Sequence, residues 1–237
     1  MDDEVVGLSS TRSNLIVFCK KSINRESGGF NQLGQGALTH DNISTEVGGL
    51  NAKSIIQTEI GVFFAGTNGF YYTDGYQIIK LSLELDATYE ALTRGEKQRR
   101  AVYGSYDEIT RRVWWSLREN EGDSENSVFF IFHLNFGVKP SGVFTKASNK
   151  NLIYPSSVVY FEGEQYFGHK NGFVFKASKW TKTDPIVDVA TSPADWEREA
   201  IPYEYLSCAM SAGTLFERKY ITKIHILGNN YRDWETS

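Results

Sequence analysis

Residues 54–81 read SIIQTEIGVFFAGTNGFYYTDGYQIIKL, and this stretch decides the fold. Short apolar and aromatic runs alternate in it with polar turns that contain Asn-Gly or Asp-Gly. These dipeptides favour type I′ hairpin turns, because both central residues of such a turn need a positive φ. Residues 54–81 are therefore predicted to form a four-stranded up-and-down sheet, which is the makeup of one propeller blade.

The central hairpin of this stretch recurs 103 residues further along the chain. Residues 63–72 read FFAGTNGFYY, and residues 166–175 read YFGHKNGFVF. When the two Asn-Gly pairs are aligned, an aromatic residue meets an aromatic residue at four positions. Further hairpins are predicted near residues 20 and 108. The hairpins near residues 20, 68 and 108 follow one another at about 40–50 residues, which is typical of β-propeller blades, and the spacing to the last hairpin is longer. We therefore predict an all-β fold, a propeller-like array of four-stranded antiparallel blades.

One segment interrupts this β pattern. Within residues 83–98, Leu85, Tyr89 and Leu92 recur at the spacing of one helix face, which predicts a short amphipathic helix inserted between blades. Gly95 is expected to end or fray this helix.

The predicted organisation has three parts. Residues 1–180 form the blades, including the helix. Residues 181–202 form a linker that holds three of the five prolines. Residues 203–237 start a further β-sheet or sandwich element, because residues 216–227 alternate cleanly between two faces.

The composition of the chain excludes several classes of protein. The chain has 237 residues with 33 aromatics, 21 glycines and a net charge of −4, which excludes a generally basic nucleic-acid coat. No apolar run approaches about 20 residues and no signal peptide is visible, so no membrane span is expected. Cys19 and Cys208 lie far apart, which excludes a disulfide scaffold and favours a reduced compartment. The four histidines lack the spacing of metal ligands, so no metal or cofactor is predicted.

Basic residues form the candidate interaction patch. It comprises Arg94, Lys97, Arg99, Arg100, Arg111 and Arg112. Such a cluster can contact nucleic acid or an acidic protein surface. The simpler interpretation is a solvated helix end with ion pairs to Glu96, Asp107 and Glu108.

Three carboxylates raise the alternative of a glycoside hydrolase, which needs two carboxylates facing one sugar bond. Asp74, Asp107 and Glu164 lie at predicted turns or strand ends, where they also serve as turn formers. The repeated S-x-D-x-G-x-T-W box of sialidases is absent, and no other catalytic motif is present. The sequence therefore predicts no catalytic residue and no enzyme. The acidic loop 119–125 is interpreted as a solvated hairpin tip, and the aromatic rows as core.

The order and spacing of several short motifs resemble a signature of bacteriophage tail and neck proteins. The matching residues are Phe63-Phe64, Gly69-Phe70-Tyr71, Asp74-Gly75, Ile78–Ser82, Tyr106-Asp107 and Arg112-Val113-Trp114-Trp115. The likeness extends over roughly residues 10–180. It is greatest to the tail hub (DNA-stabilisation) proteins of short-tailed phages and looser to their tubular tail proteins. It identifies no catalytic residue.

The resemblance implies a structural role in the virion. Members of this family resemble β-propellers joined to β-sandwich elements, assembled in a ring beneath the portal. The expected protein is a tail or neck adaptor that is assembled in the host cytoplasm. It would form a homo-oligomeric ring and contact portal and tail proteins, and a contact between the basic cluster and DNA is a further hypothesis. Because only four or five blades fit in residues 1–180, we expect a fragment, or a fold that neighbours complete.

Two other functions remain as alternatives. One is a propeller that binds glycans or hydrolyses them, which requires carboxylates and exposed aromatics that converge on one pocket. The other is a cellular propeller scaffold with peptide partners.

Overall fold

The computed structural model describes residues 3–30, 36–140, 142–148, 155–169, 174–176, 183–185, 198–200 and 203–206. Strands dominate these ranges. They are β1 (Val5–Ser10), β2 (Leu15–Cys19), β3 (Ile23–Phe30), β4 (Gly36–Ser44), β5 (Ile56–Thr58), β6 (Gly61–Gly66), β7 (Gly69–Thr73), β8 (Ile78–Lys80), β9 (Tyr103–Asp107), β10 (Arg112–Leu117), β11 (Val128–His133), β12 (Phe144–Ser148), β13 (Pro155–Phe161), β14 (Glu164–His169), β15 (Val174–Lys176), β16 (Thr183–Pro185), β17 (Arg198–Ala200) and β18 (Tyr203–Leu206).

Strands that follow one another in sequence pair antiparallel in four consecutive sheets. Sheet 1 contains β1–β4, sheet 2 contains β5–β8, sheet 3 contains β9–β12, and sheet 4 contains β13–β15. Strands β16 and β17 form a separate short pair. This arrangement confirms the predicted all-β array of blade-like antiparallel sheets.

Sheet 2 is the up-and-down sheet predicted for residues 54–81, but its central turn differs from the expected one. Gly66 pairs with Gly69, so the turn residues are Thr67 and Asn68 rather than Asn68 and Gly69. Neither turn residue has a positive φ. The prediction of a type I′ turn was therefore wrong here, because Gly69 pairs within β7 instead of occupying the turn.

The Asp74-Gly75 turn is also longer than predicted. Thr73 pairs with Ile78, which leaves a four-residue loop between β7 and β8. Within this loop, Gly75 has a φ of +96°. The Asp74 side chain accepts hydrogen bonds from the backbone N–H groups of Tyr76 and Gln77, at 2.8 and 3.0 Å. The carboxylate thus closes the loop as an Asx turn, in place of a type I′ turn.

For the remaining predicted hairpins, the structure confirms the paired strands. The hairpins near residues 20 and 108 are formed by β2–β3 and β9–β10. Strands β14 and β15 pair antiparallel as the repeat predicts. Asn171-Gly172 itself lies outside the described residues.

Alternation along the strands sends neighbouring aromatic residues to opposite faces, so that each inner sheet packs on two others. Phe64 contacts Phe18 of sheet 1, with ring centroids 5.0 Å apart. Its neighbour Phe63 contacts Phe132 of sheet 3, at 5.6 Å. The apolar core therefore consists of layers between successive sheets.

Sheet 3 repeats this pattern. Trp115 stacks on Phe70 of sheet 2 with centroids 4.3 Å apart, whereas Trp114 lies 6.0 Å from Phe167 of sheet 4. This confirms the prediction that the two tryptophans point to opposite faces of a sheet buried on both sides. The aromatic rows predicted to be core are indeed largely buried.

The predicted helix 83–98 is divided into a 3₁₀ turn, Leu83–Leu85, and two short helices, α1 (Asp86–Thr93) and α2 (Glu96–Arg100). The residues expected on its apolar face, Leu85, Tyr89 and Leu92, are buried as predicted. Gly95 does interrupt the helix, and it also serves as the N-cap of α2. Among the described residues, no helix has the length and apolar character needed to cross a membrane.

The C-terminal third is described only in part. The first residues of the predicted further element form β18, which pairs with β12 and extends sheet 3. Strands β16 and β17 lie in the segment 181–202 predicted as a linker. Residues 207–237, which include the predicted strand 216–227, lie outside the described residues, so the three-part organisation stays a prediction.

Candidate functional site

Helix α2 presents part of the basic cluster, and two buried amides hold it in place. The side chain of Gln98 accepts a hydrogen bond from the Gly95 N–H at 2.9 Å and donates to the Glu119 carbonyl at 3.3 Å. Asn126 donates to the carbonyls of Ala101 and Ser116, at 2.6 and 3.2 Å. The helix is therefore fixed beside the loop that follows β10.

The structure brings together four residues of the basic cluster and separates the other two. Arg94, Lys97, Arg99 and Arg100 lie at the end of α1 and along α2, next to the Leu117 end of β10. Arg111 and Arg112 lie at the opposite end of β10. The strand rises about 3.4 Å per residue, so Arg112 is about 17 Å along it from Leu117. The six residues thus occupy two sites.

At the site formed by Arg111 and Arg112, the charge of Arg111 is balanced by a carboxylate. The Arg111 guanidinium lies 3.4 Å from the Glu59 carboxylate. Tyr106 donates a hydrogen bond to the same carboxylate at 2.8 Å. Burial, followed by Glu59, raises the pKa of Tyr106 to about 12. Glu59 could not be recognised from the sequence as the partner of Arg111, because it lies in the β5–β6 turn of another sheet.

Around α2, the cations line two surface pockets. Lys97, Arg100 and Arg118 line a pocket of about 280 Å³. On the other side of the helix, Arg99 and Arg100 line a pocket of about 520 Å³. Arg100 also forms the predicted ion pair with Glu96, one turn earlier. Arg118, which follows directly after β10, was not among the six basic residues predicted to form the cluster.

The three carboxylates of the hydrolase alternative each have a structural role. Asp74 closes the β7–β8 loop, as described above. Asp107 accepts hydrogen bonds from the N–H and the hydroxyl of Thr110, and Glu164 lies 3.2 Å from the Lys176 ammonium. A pocket of about 570 Å³ is lined by Asp74 but by neither of the other two. Asp74 therefore does not share this pocket with Asp107 or Glu164.

Asp74 makes stability depend on pH. Burial alone would raise the pKa of its carboxyl, but the N–H donors of Tyr76 and Gln77 outweigh burial and lower the pKa below its ordinary value. A group with a lowered folded pKa stabilises the fold above its unfolded pKa, about 3.9 for aspartate, and this contribution disappears as the pH falls through the folded pKa. We expect Asp74→Asn to lower the urea midpoint at pH 7 and to reduce the loss of stability as the pH falls below about 4. An unchanged acid profile in Asp74→Asn would contradict this role.

The acidic loop 119–125 closes on itself. Asp123 accepts hydrogen bonds from the backbone and side-chain nitrogens of Asn120, at 2.9 and 3.1 Å. In the part of the chain that the structure describes, no group of three or more histidine, cysteine or acidic residues is placed to hold a metal ion.

Comparison with known proteins leaves the function open. No protein-family model matches the chain, and no curated protein matches it. Among solved structures, it is similar to the computationally designed Ika4 protein, with 12% sequence identity and a TM-score of 0.37. That alignment covers 75% of this chain and 92% of the designed one. At this level the likeness carries no argument about fold or function.

Proposed function

We propose that the protein is a structural component of a bacteriophage virion, a tail or neck adaptor that assembles by contacts with its own copies and with neighbouring tail or portal proteins. Two features support the proposal: the order of the motifs in residues 10–180, and the apolar outer faces at both ends of the sheet stack. The second feature carries it, because a stack of sheets that ends in apolar surface offers protein contacts on both sides.

Sheet 4 supplies one of these faces. Val158 and Phe167 pair across the sheet and pack against sheet 3. Since side chains alternate along a strand, Val159 and Phe161 point to the opposite face, where they are 55% and 60% exposed. Val174, which pairs with Gly168, is 71% exposed on that same face. This face therefore combines exposed apolar side chains with the ion-paired Glu164 and Lys176, which the strand register places on the same side.

Sheet 1 supplies the other face. Ile16 and Phe18 are fully buried against sheet 2. Leu15 therefore points outward, together with Leu8, which pairs with Val17. These two leucines are 42% and 61% exposed. The outer face of sheet 1 thus combines these leucines with a polar pair, since Glu26 lies opposite Leu15 and His40 opposite Glu26.

A second copy of the chain is the partner proposed for each outer face, because it would continue the face-to-face packing of the sheets. Sheets in the stack are already packed face to face, and such faces lie about 10 Å apart. If sheet 1 of one copy packs on sheet 4 of the next, the same spacing extends from chain to chain. Contacts of this head-to-tail kind close into rings when the rotation permits.

Charges placed on the sheet 4 face should prevent self-association. We expect the double variant Val159→Asp with Phe161→Asp to sediment as a 26.8 kDa monomer at concentrations where the wild type forms larger species. The reason is that a buried carboxylate without a partner is strongly unfavourable. The matched control is Leu83→Asp, which changes an aliphatic residue that is 48% exposed beside α1. Equal association of the double variant and the wild type would contradict this contact.

The virion role is tested by locating the protein. Gold-labelled antibodies against the chain would be applied to particles produced from the genome that encodes it and viewed by electron microscopy. We expect label at the tail or neck. Particles without label, together with the protein in the soluble fraction of the same lysate, would contradict the proposal.

A further inference from the structure

The pocket between α2 and the loop after β10 has the composition of an anion site. Its lining contains the side chains of Lys97, Arg100 and Arg118, with Glu125 as the one carboxylate. Tyr103 and Ser124 also line this pocket, and the Tyr103 hydroxyl accepts a hydrogen bond from Lys53 at 2.7 Å. Three cations against one carboxylate in the lining give the pocket a net positive charge, which suits an oxyanion.

The second observation is that Arg118 has an unused donor. Its Nε atom is buried and has no hydrogen-bond partner among the described residues. A buried donor that lacks a partner destabilises the fold, because it loses its hydrogen bonds to water. Arg118 also lines the pocket, so an anion bound there would contact its guanidinium, and a shift of the side chain toward the anion would give Nε its acceptor.

The cations of this pocket are only partly neutralised. Arg100 pairs with Glu96, whereas Lys97 is exposed and makes no ion pair with a described residue. Of the four carboxylates in the loop 119–125, only Glu125 lines the pocket. Asp123 is engaged by Asn120.

We propose that this pocket binds a phosphate group, held by Lys97, Arg100 and Arg118. Guanidinium groups bind phosphate through paired, charge-assisted hydrogen bonds, and a lysine adds a point charge. The group can come from free phosphate or from the backbone of a nucleic acid. This site does not depend on the outer faces of sheets 1 and 4, so either proposal can fail without the other.

The test is a titration with inorganic phosphate, followed by nuclear magnetic resonance of the arginine Nε–H signals and compared with chloride at equal ionic strength. We expect the Arg118 signal to shift saturably with phosphate only. Arg118→Gln and Lys97→Gln should each weaken binding about tenfold or more, the loss of one charge-assisted hydrogen bond. Because Lys97 is exposed, its variant should remain folded.

Arg112→Gln is the matched control, since Arg112 lies at the other end of β10, and its phosphate affinity should stay within about twofold of the wild type. The proposal is overturned if chloride causes the same shifts, or if Arg112→Gln weakens binding as much as Arg118→Gln. A twelve-residue oligothymidylate identifies the source. Binding that Arg118→Gln weakens supports the site with backbone phosphate as its ligand, and phosphate binding without oligonucleotide binding supports it with free phosphate.

Discussion

Replacing Phe70 by alanine is expected to lower the free energy of unfolding by about 3–5 kcal/mol. Phe70 lies in β7, is fully buried, and contacts rings from four other elements, the fourth being Phe144 of β12 with centroids 5.6 Å apart. Its centroid lies 4.3 Å from that of Trp115, 4.8 Å from that of Tyr89 and 5.5 Å from that of Phe130. Truncation would leave a cavity that these large, interlocked rings cannot fill by small shifts.

This effect is measured by urea unfolding of the purified chain at neutral pH. The matched control is Phe136→Ala, because Phe136 is 58% exposed, and its free energy of unfolding should change by no more than about 0.5 kcal/mol. If Phe70→Ala were as stable as Phe136→Ala, the layer between sheets 2 and 3 would not be the main core.

Replacing Gly48 by alanine is expected to cost about 3 kcal/mol, the upper end of the range for overpacking. A Cβ atom at Gly48 would lie 2.2 Å from the carbonyl oxygen of Lys20 and 2.5 Å from that of Cys19. Both are backbone atoms, at the end of β2 and in the turn after it, so no side chain can rotate away. The next residue, Gly49, donates a backbone hydrogen bond to Cys19 at 2.9 Å, which fixes the segment against the turn.

The control for this substitution is Gly122→Ala. A Cβ atom at Gly122 would have nothing within 4 Å, so we expect a change of at most about 0.5 kcal/mol. Thermal unfolding of both variants measures the difference, and we expect a lower melting temperature for Gly48→Ala than for Gly122→Ala. Equal melting temperatures would contradict the close approach of Gly48 to the backbone of Cys19 and Lys20.

The strands were predictable because their signal is local. Alternating aromatic residues in Phe63-Phe64 and Trp114-Trp115 predict a sheet buried on both faces, and the structure confirms this. The type of each turn was less predictable, because it depends on the residue pair at which the two strands stop pairing. Gly69 could occupy a turn or a strand, and pairing with Gly66 places it in β7.

The candidate site was predictable only in part. Runs of basic residues are visible in sequence, but their distance in space depends on the strands between them. Arg100 and Arg111 lie on either side of β9, which separates them along its length. Arg118 joins Lys97 only because the loop after β10 lies against α2, a tertiary contact that no local pattern indicates.

The proposed head-to-tail association joins the outer faces of sheets 1 and 4 of neighbouring copies. Lysine cross-linking of an equimolar mixture of ¹⁴N- and ¹⁵N-labelled chains, read by mass spectrometry, tests this contact. Lys176 marks sheet 4 and Lys20 marks sheet 1, and their side chains are 53% and 58% exposed. We predict mixed-isotope links between Lys176 and Lys20. Mixed links that join only Lys176 to Lys176, or no mixed links at any concentration, would contradict the claim.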